Sequence, residues 1–241
     1  MIRSLQELFS RNNQAVRPVG YFFRSDPKLK GLKWGNWGSR PYEYYWAANI
    51  VSPAGKRIID LGVGLPSQHN WYLYASKRLL PSYYVGIDID ERIKSEELSG
   101  DNYEVRWMDM TRLELDSKSF DIAYCISVME HLTVDQLRRA CAETHRVLSD
   151  DGILVVTLDE VWDITGNDWD WNVLEKDLIQ QGHYRRTEIG FGLRDFLPLI
   201  EDYFVPDTEI NATRLNADPR ILHTKHWNSC VSYVLLRKRL R

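Results

Sequence analysis

The chain has 241 residues, 44% of them hydrophobic, and a net charge of -3, which is enough to bury one α/β core with extensions but offers no broad electrostatic footprint to nucleic acid or an anionic membrane. No apolar stretch approaches bilayer-spanning length and the N-terminus lacks the apolar core of a secretory signal, so no membrane insertion is expected and the cytoplasm is the expected location. Cys125, Cys141 and Cys230 show no CxxC pairing and read as buried thiols of a reducing compartment.

Taken in chain order, Ile2, Leu5, Leu8 and Phe9 keep the spacing of an amphipathic helix. From residue 56 onward, short β-rich runs alternate with helix-length segments, the pattern of a parallel sheet covered on both faces. Strands are expected at Arg57–Leu61, Tyr83–Ile87, Tyr103–Trp107, Phe120–Ile126 and Ile153–Leu158. The clearest helix lies between the last two: Thr133 and Gln136 form a TxxQ capping box, Val134, Leu137, Cys141 and Leu148 keep helical spacing, and Ser149–Gly152 (SDDG) closes it. Phe196–Tyr203 reads as a helix despite Pro198, and Thr208–Thr213 and Cys230–Leu236 read as two final strands separated by a loop with His223 and His226. The terminal basic run Arg237, Lys238, Arg239 and Arg241 reads as a solvated tail.

The first strand runs directly into Asp60, Gly62 and Gly64 in the stretch IIDLGVGLP. Two glycines so close together let the backbone turn sharply and approach a ligand. A dinucleotide fingerprint would bring a third glycine, but that position is Ser67. A carboxylate at the strand tip also repels a pyrophosphate, whereas it neutralises an ammonium group. Asp88, at the end of the second strand, can accept hydrogen bonds from both hydroxyls of a ribose. Asp109, in WMDM, is placed to accept from an exocyclic adenine amine, with Met108 and Met110 as apolar contacts, or else to start a surface turn.

In order along the chain, IIDLGVG, GIDI, WMD, SFDIAYCISVMEHL and HRVLSDDGILVVT resemble the blocks of the class I S-adenosylmethionine-dependent methyltransferases, with a core of the type 11 kind. The resemblance implies a Rossmann-like α/β fold with seven mostly parallel strands in the order 3-2-1-4-5-7-6, the last one antiparallel, and helices on both faces. It implies S-adenosyl-L-methionine as cofactor, with Asp60, Gly62 and Gly64 facing the methionine portion, Asp88 and Ile89 the ribose side, Asp109 and Met110 the adenine, and Ser127 beneath the cofactor. Upstream, WGNWGSRPYEYYW resembles the Arg-x-x-Glu-Tyr stretch of some bacterial polysaccharide methyltransferases, so Arg40 could pair the cofactor carboxylate, with Glu43 and Tyr44 bordering the pocket. The expected organisation is one methyltransferase domain over 1–241: a helical extension or lid at 1–50, a cofactor-binding core at 56–158, a substrate-side insertion at 159–205 and the last two strands at 206–241.

If a hydroxyl is methylated, a base helps. His131 and Glu130, after the fourth strand, and Asp159, after the fifth, are the candidates, although His131 and Glu130 could equally fix the loop. His145 sits within the amphipathic helix and reads as structural. His223 and His226 form no metal motif, and no metal is expected. Trp34, Trp37, Trp46, Trp162, Trp169 and Trp171, interleaved with Asp163, Asp168 and Asp170, suit a sugar or a small amine and not a nucleic acid. The expectation is methyl transfer to a small-molecule or carbohydrate acceptor, O-methylation by in-line displacement, with a catalytically silent cofactor-binding scaffold or a nicotinamide-dependent oxidoreductase as the alternatives.

Overall fold

The computed structural model describes residues 51–67, 81–96, 98–161, 193–207, 223–224 and 227–240 and, in helical segments, positions 40, 43, 44, 47, 50, 71 and 75. The strands are β1 (Arg57–Leu61), β2 (Tyr83–Asp88), β3 (Leu98–Gly100), β4 (Tyr103–Trp107), β5 (Phe120–Ile126), β6 (Leu148–Val161), β7 (Phe204–Pro206), β8 (His223–Thr224) and β9 (Trp227–Lys238); the helices are α1 (Val134–Val147) and α2 (Leu193–Ile200). The expected features at Ile2–Phe9, Thr208–Thr213, His226 and the six tryptophans fall outside the described residues.

The sheet order is β3-β4-β2-β1-β5-β6-β9-β7, with β8 paired to β9 off this path. Setting aside the short β3 and β8, this is the expected order 3-2-1-4-5-7-6. β1, β2, β4, β5 and β6 pair in parallel, and β9 runs antiparallel to both β6 and β7. Because β1 lies between β2 and β5, the chain reverses its direction of travel across the sheet there, and the carboxyl ends of β1 and β5 open onto the crevice where such folds bind ligands.

The two-residue period of the strands divides the core between the two faces of the sheet. Ile59, Leu61, Ala123 and Cys125 face one side, with Leu137, Ala140, Cys141 and Val147 of α1 and Phe196 and Ile200 of α2 packed on them. Ile58, Ile122, Tyr124 and Ile126 face the other, beneath Tyr44, Ala47 and Ile50 of the upstream helical segment and Trp71 and Ala75. Cys125 and Cys141 are buried free thiols. Among the described residues, no helix is long and apolar enough to cross a membrane.

The capping box is present as read: Thr133 Oγ1 accepts from the Gln136 N–H at 3.1 Å and Gln136 Oε1 from the Thr133 N–H at 2.9 Å. Several boundaries differ from the sequence reading. Leu148–Gly152 is strand, because Leu148 pairs with Phe120 and the register then shifts to accommodate the polar residues before Ile153 meets Ile122. β6 also continues through Asp159 and Glu160 to Val161, since the long β9 extends the ladder past Leu158. α2 begins earlier than expected and ends at Ile200, where the Tyr203 N–H donates to the Ile200 carbonyl and turns the chain into β7. Finally, the basic run is not all tail: Arg237 and Lys238 belong to β9, Arg237 pairs with Asp207 at 2.6 Å, and the buried Lys238 ammonium donates to the Leu148 carbonyl.

Candidate active site

The turn after β1 is built as its glycines require. Gly62 and Gly64 have φ of 82° and 73°, a left-handed conformation that disfavours any side chain. A Cβ on Gly62 would also lie 2.4 Å from Val128 Cγ2, so space and backbone both exclude one. The turn is held to β2: the Gly62 and Val63 N–H groups donate to the Ile87 carbonyl at 2.8 and 3.0 Å, and the Gly64 N–H donates to Asp88 Oδ2 at 2.9 Å. The other oxygen of Asp88 accepts from the Asp90 N–H. Where a third glycine would stand in a dinucleotide turn, the Ser67 N–H and hydroxyl both donate to the Glu96 carboxylate, each at 2.8 Å.

Asp60 is buried beside this turn and accepts from the Tyr84 hydroxyl at 2.6 Å. Burial pushes its carboxyl up to about 7, and Asp88 adds to the rise against the hydrogen-bonding pull of Tyr84 and Trp71 and the charge of Arg40. Trp71 stacks on Tyr44 with ring centroids 4.8 Å apart and meets the edge of Tyr124. Arg40, Tyr44, Asp60, Gly62, Gly64 and Trp71, with Val63 and Ile126, line one open pocket.

Arg40 reaches this pocket from a buried polar cage. Its Nη1 donates to Glu43 Oε2 at 2.7 Å, and its Nη2 lies 3.4 Å from the Ser127 carbonyl. Glu43 has no exposed side-chain surface. Its Oε1 accepts from Thr157 Oγ1 at 2.6 Å and from the Ser127 hydroxyl. Ser127 is itself left-handed, with φ of 48°, and its N–H donates to the Thr157 carbonyl and hydroxyl.

The remaining expected residues are not among those that line this pocket. Ile89 follows Asp88 and is 61% exposed, an apolar surface at the crevice. The Trp107 indole donates to the Ile89 carbonyl, and the Lys94 ammonium lies over the Trp107 ring. Asp109 starts a turn, accepting from the Thr111 N–H on its side chain and from the Arg112 N–H on its carbonyl. The loop beyond is clamped by α1, where Glu143 accepts from the Leu113 N–H and Arg146 donates to the Leu113 and Leu115 carbonyls. Met108 and Met110 are buried in the core.

His131 ends a single 3-10 turn, Met129–His131, and is exposed. Partial desolvation, and secondarily the Arg40 charge, lower its pKa. Glu130 is buried, close enough to the Cys125 thiol to add to the upward push that burial gives it. Asp159 sits inside β6 opposite Val231. His145 is remote, its Nε2 2.8 Å from the Arg239 carbonyl and its ring against Tyr203 and Phe204. Sequence reasoning overlooked Tyr84, Trp71 and Thr157 and underrated Glu43. Only Tyr84 left a local signal, since it alternates with Gly86 on the strand that ends in Asp88.

A glycine turn at the switch point of this strand order, with acids at the tips of β1 and β2, defines a Rossmann-like nucleoside-cofactor enzyme. Residues 59–156 match the family model described as a methyltransferase domain. No curated protein matches the sequence. Among solved structures, an S-adenosylmethionine-dependent methyltransferase from Mesorhizobium loti is 18% identical, with a TM-score of 0.55 over 84% of this chain and 98% of that one. Geranyl diphosphate methyltransferase, solved in complex with its S-adenosylmethionine, is 13% identical, with a TM-score of 0.55 over 82% and 85%. The YcgJ protein from Bacillus subtilis is 14% identical, with a TM-score of 0.55 over 83% and 99%. Residues 59–156 therefore carry a methyltransferase domain, and S-adenosylmethionine is the cofactor this domain implies.

Proposed function

We propose that this enzyme methylates a hydroxyl oxygen of a small-molecule or carbohydrate acceptor. The residues of the pocket, with those at the end of β2 and after β4, fit the cofactor by charge. Asp60 takes the ammonium of the methionine portion, Arg40 its carboxylate and Asp88 the ribose hydroxyls, with Ile89 beside Asp88 and with Asp109 and Met110 on the adenine side. When bound, the cofactor supplies a methyl group on a positively charged sulfur, whose charge is discharged as the methyl leaves. The protein therefore has to position the acceptor and keep water out, and both are tasks for packed aromatic and apolar walls. Tyr44, Trp71 and Ile126 provide such walls in the pocket.

The observation that carries the acceptor reading is His131, an exposed imidazole just after β5 that feels the charge of the pocket residue Arg40 and whose pKa is lowered. It is neutral at pH 7 and able to take the proton that a hydroxyl acceptor loses. The acidic, tryptophan-rich flanks of the sequence favour a sugar or another small polar molecule over nucleic acid. The test is transfer of isotopically labelled methyl to a panel of sugars, phenols and amines, followed by mass analysis of the products. An ether product is expected. Label found only on nitrogen or sulfur overturns the reading.

A further inference from the structure

We infer that Glu43 is a positioning residue for cofactor binding: it ties the helical segment that carries Arg40 to the corner after β5, and so sets two walls of the pocket at once. The inference rests on the reading that this pocket holds the cofactor.

Glu43 is fully buried, and its two oxygens receive donors from three separate places: Arg40 on its own segment, Ser127 in the corner after β5, and Thr157 in β6. Removing a carboxylate from water is costly, and an apolar residue of the same size often stabilises such a site as well or better. What an apolar residue could not do is hold polar partners in place. Glu43 holds two of them. The first is Arg40, which lines the pocket and whose planar guanidinium is fixed by Glu43 on one nitrogen. The second is Ser127, kept in a left-handed conformation that a residue with a side chain rarely adopts.

The corner passes this constraint to the glycine turn. Ile126, immediately before Ser127, lines the pocket. Val128, immediately after it, lies so close to Gly62 that its methyl groups occupy the place of a Cβ there. The His131 N–H in turn donates to the Val128 carbonyl. Arg40, the wall at Ile126 and the space over Gly62 therefore share one anchor. Pre-organisation of this kind strengthens binding by removing the ordering that a ligand would otherwise have to impose.

The experiment measures S-adenosylhomocysteine affinity by calorimetry on the full chain, below the melting temperature of every variant. Glu43→Gln is expected to weaken binding about tenfold and Thr157→Val, which removes one donor, about threefold. In an Arg40→Ala background the Glu43→Gln effect is expected to shrink to about threefold or less, because the residue it positions is gone. A merely structural Glu43 would lower the melting temperature in both backgrounds and leave the affinity of the folded protein unchanged. Wild-type affinity in Glu43→Gln, or an equal factor in both backgrounds, overturns the proposal. If Glu43→Gln does not fold, Thr157→Val carries the same cycle with the same two outcomes. A wild-type chain that binds no S-adenosylhomocysteine overturns the pocket reading itself, an outcome separate from one in which wild type and variant bind equally.

Discussion

The carboxyl of Asp60, pushed up to about 7 by burial, makes a quantitative prediction for cofactor binding. The groups that face it are Tyr84 and Trp71 as hydrogen-bonding neighbours, Asp88 as a like charge and Arg40 as an opposite one. Without a cation in the pocket the acid is half protonated near neutral pH, whereas an ammonium beside it favours the ionised form. Binding is therefore linked to loss of a proton. Cofactor affinity should rise from pH 6 to pH 8 by about tenfold, because the ionised fraction grows from roughly one in eleven to ten in eleven. Calorimetry with S-adenosylhomocysteine checks this twice, through the affinity profile and through the proton released into buffers of different ionisation enthalpy.

Asp60→Asn should flatten the profile and weaken binding at pH 8 by about a hundredfold, the scale of losing one partner of a desolvated, hydrogen-bonded charge pair. The stability of the ligand-free protein supplies the opposite sign. Between the ordinary carboxyl value of 3.8 and about 7, the folded state holds a proton that the unfolded state has released, so stability falls as pH rises through that window. In Asp60→Asn this component is absent. A flat affinity profile in the wild type, with no proton released, would refute the assignment of Asp60 to the ammonium.

Gly62→Ala meets both a left-handed backbone and the methyl groups of Val128, and should cost about 3 kcal/mol of stability in denaturant titrations and abolish cofactor binding. Adding Val128→Ala should restore part of the loss and leave about 1 kcal/mol for the backbone alone. Thr133→Ala removes a capping box whose residues do not line the pocket, and should lower stability by about 1 kcal/mol while leaving cofactor affinity unchanged. If His131 is the base, its lowered pKa places the acid limb of kcat/KM below the ordinary histidine value of 6.5, and His131→Gln should slow turnover by about a hundredfold without changing cofactor affinity. A wild-type limb above 6.5 would count against that role.

What the sequence displayed well were features in which one short segment carries the whole signal. β1 and β5 stand where their apolar runs place them, because a strand buried on both faces reads as a continuous β-rich segment, and β4 keeps its expected bounds although only Val105 in it is buried. The Thr133 box marked the start of α1 for the same local reason. β3 was missed because Leu98, Ser99 and Gly100 are all exposed: it pairs at the sheet edge and shows no burial pattern. The beginning of β6 was missed for a different reason. Ser149, Asp150, Asp151 and Gly152 have turn chemistry, yet here they interrupt a ladder that Leu148 has already joined.

The same division separates the two halves of the site. Asp60, Gly62, Gly64 and Asp88 sit on two adjacent strand ends, and their chemistry could be read from spacing. The cage around Glu43 spans 84 residues to Ser127 and 114 to Thr157, and no local pattern announces a contact of that range. The cage's absence from the sequence reading matters less for cofactor class than the use the turn makes of its own N–H groups. A pyrophosphate is held by backbone donors pointing at it. Here the N–H groups of Gly62 and Val63 go to Ile87, that of Gly64 to Asp88 and that of Ser67 to Glu96. With those donors committed, the turn presents to its pocket the carboxylate of Asp60, which suits a cationic amino group and repels a phosphate. Ser67 thus does more than interrupt a glycine pattern, because its N–H and hydroxyl both donate to Glu96 and neither is left to hold a phosphate.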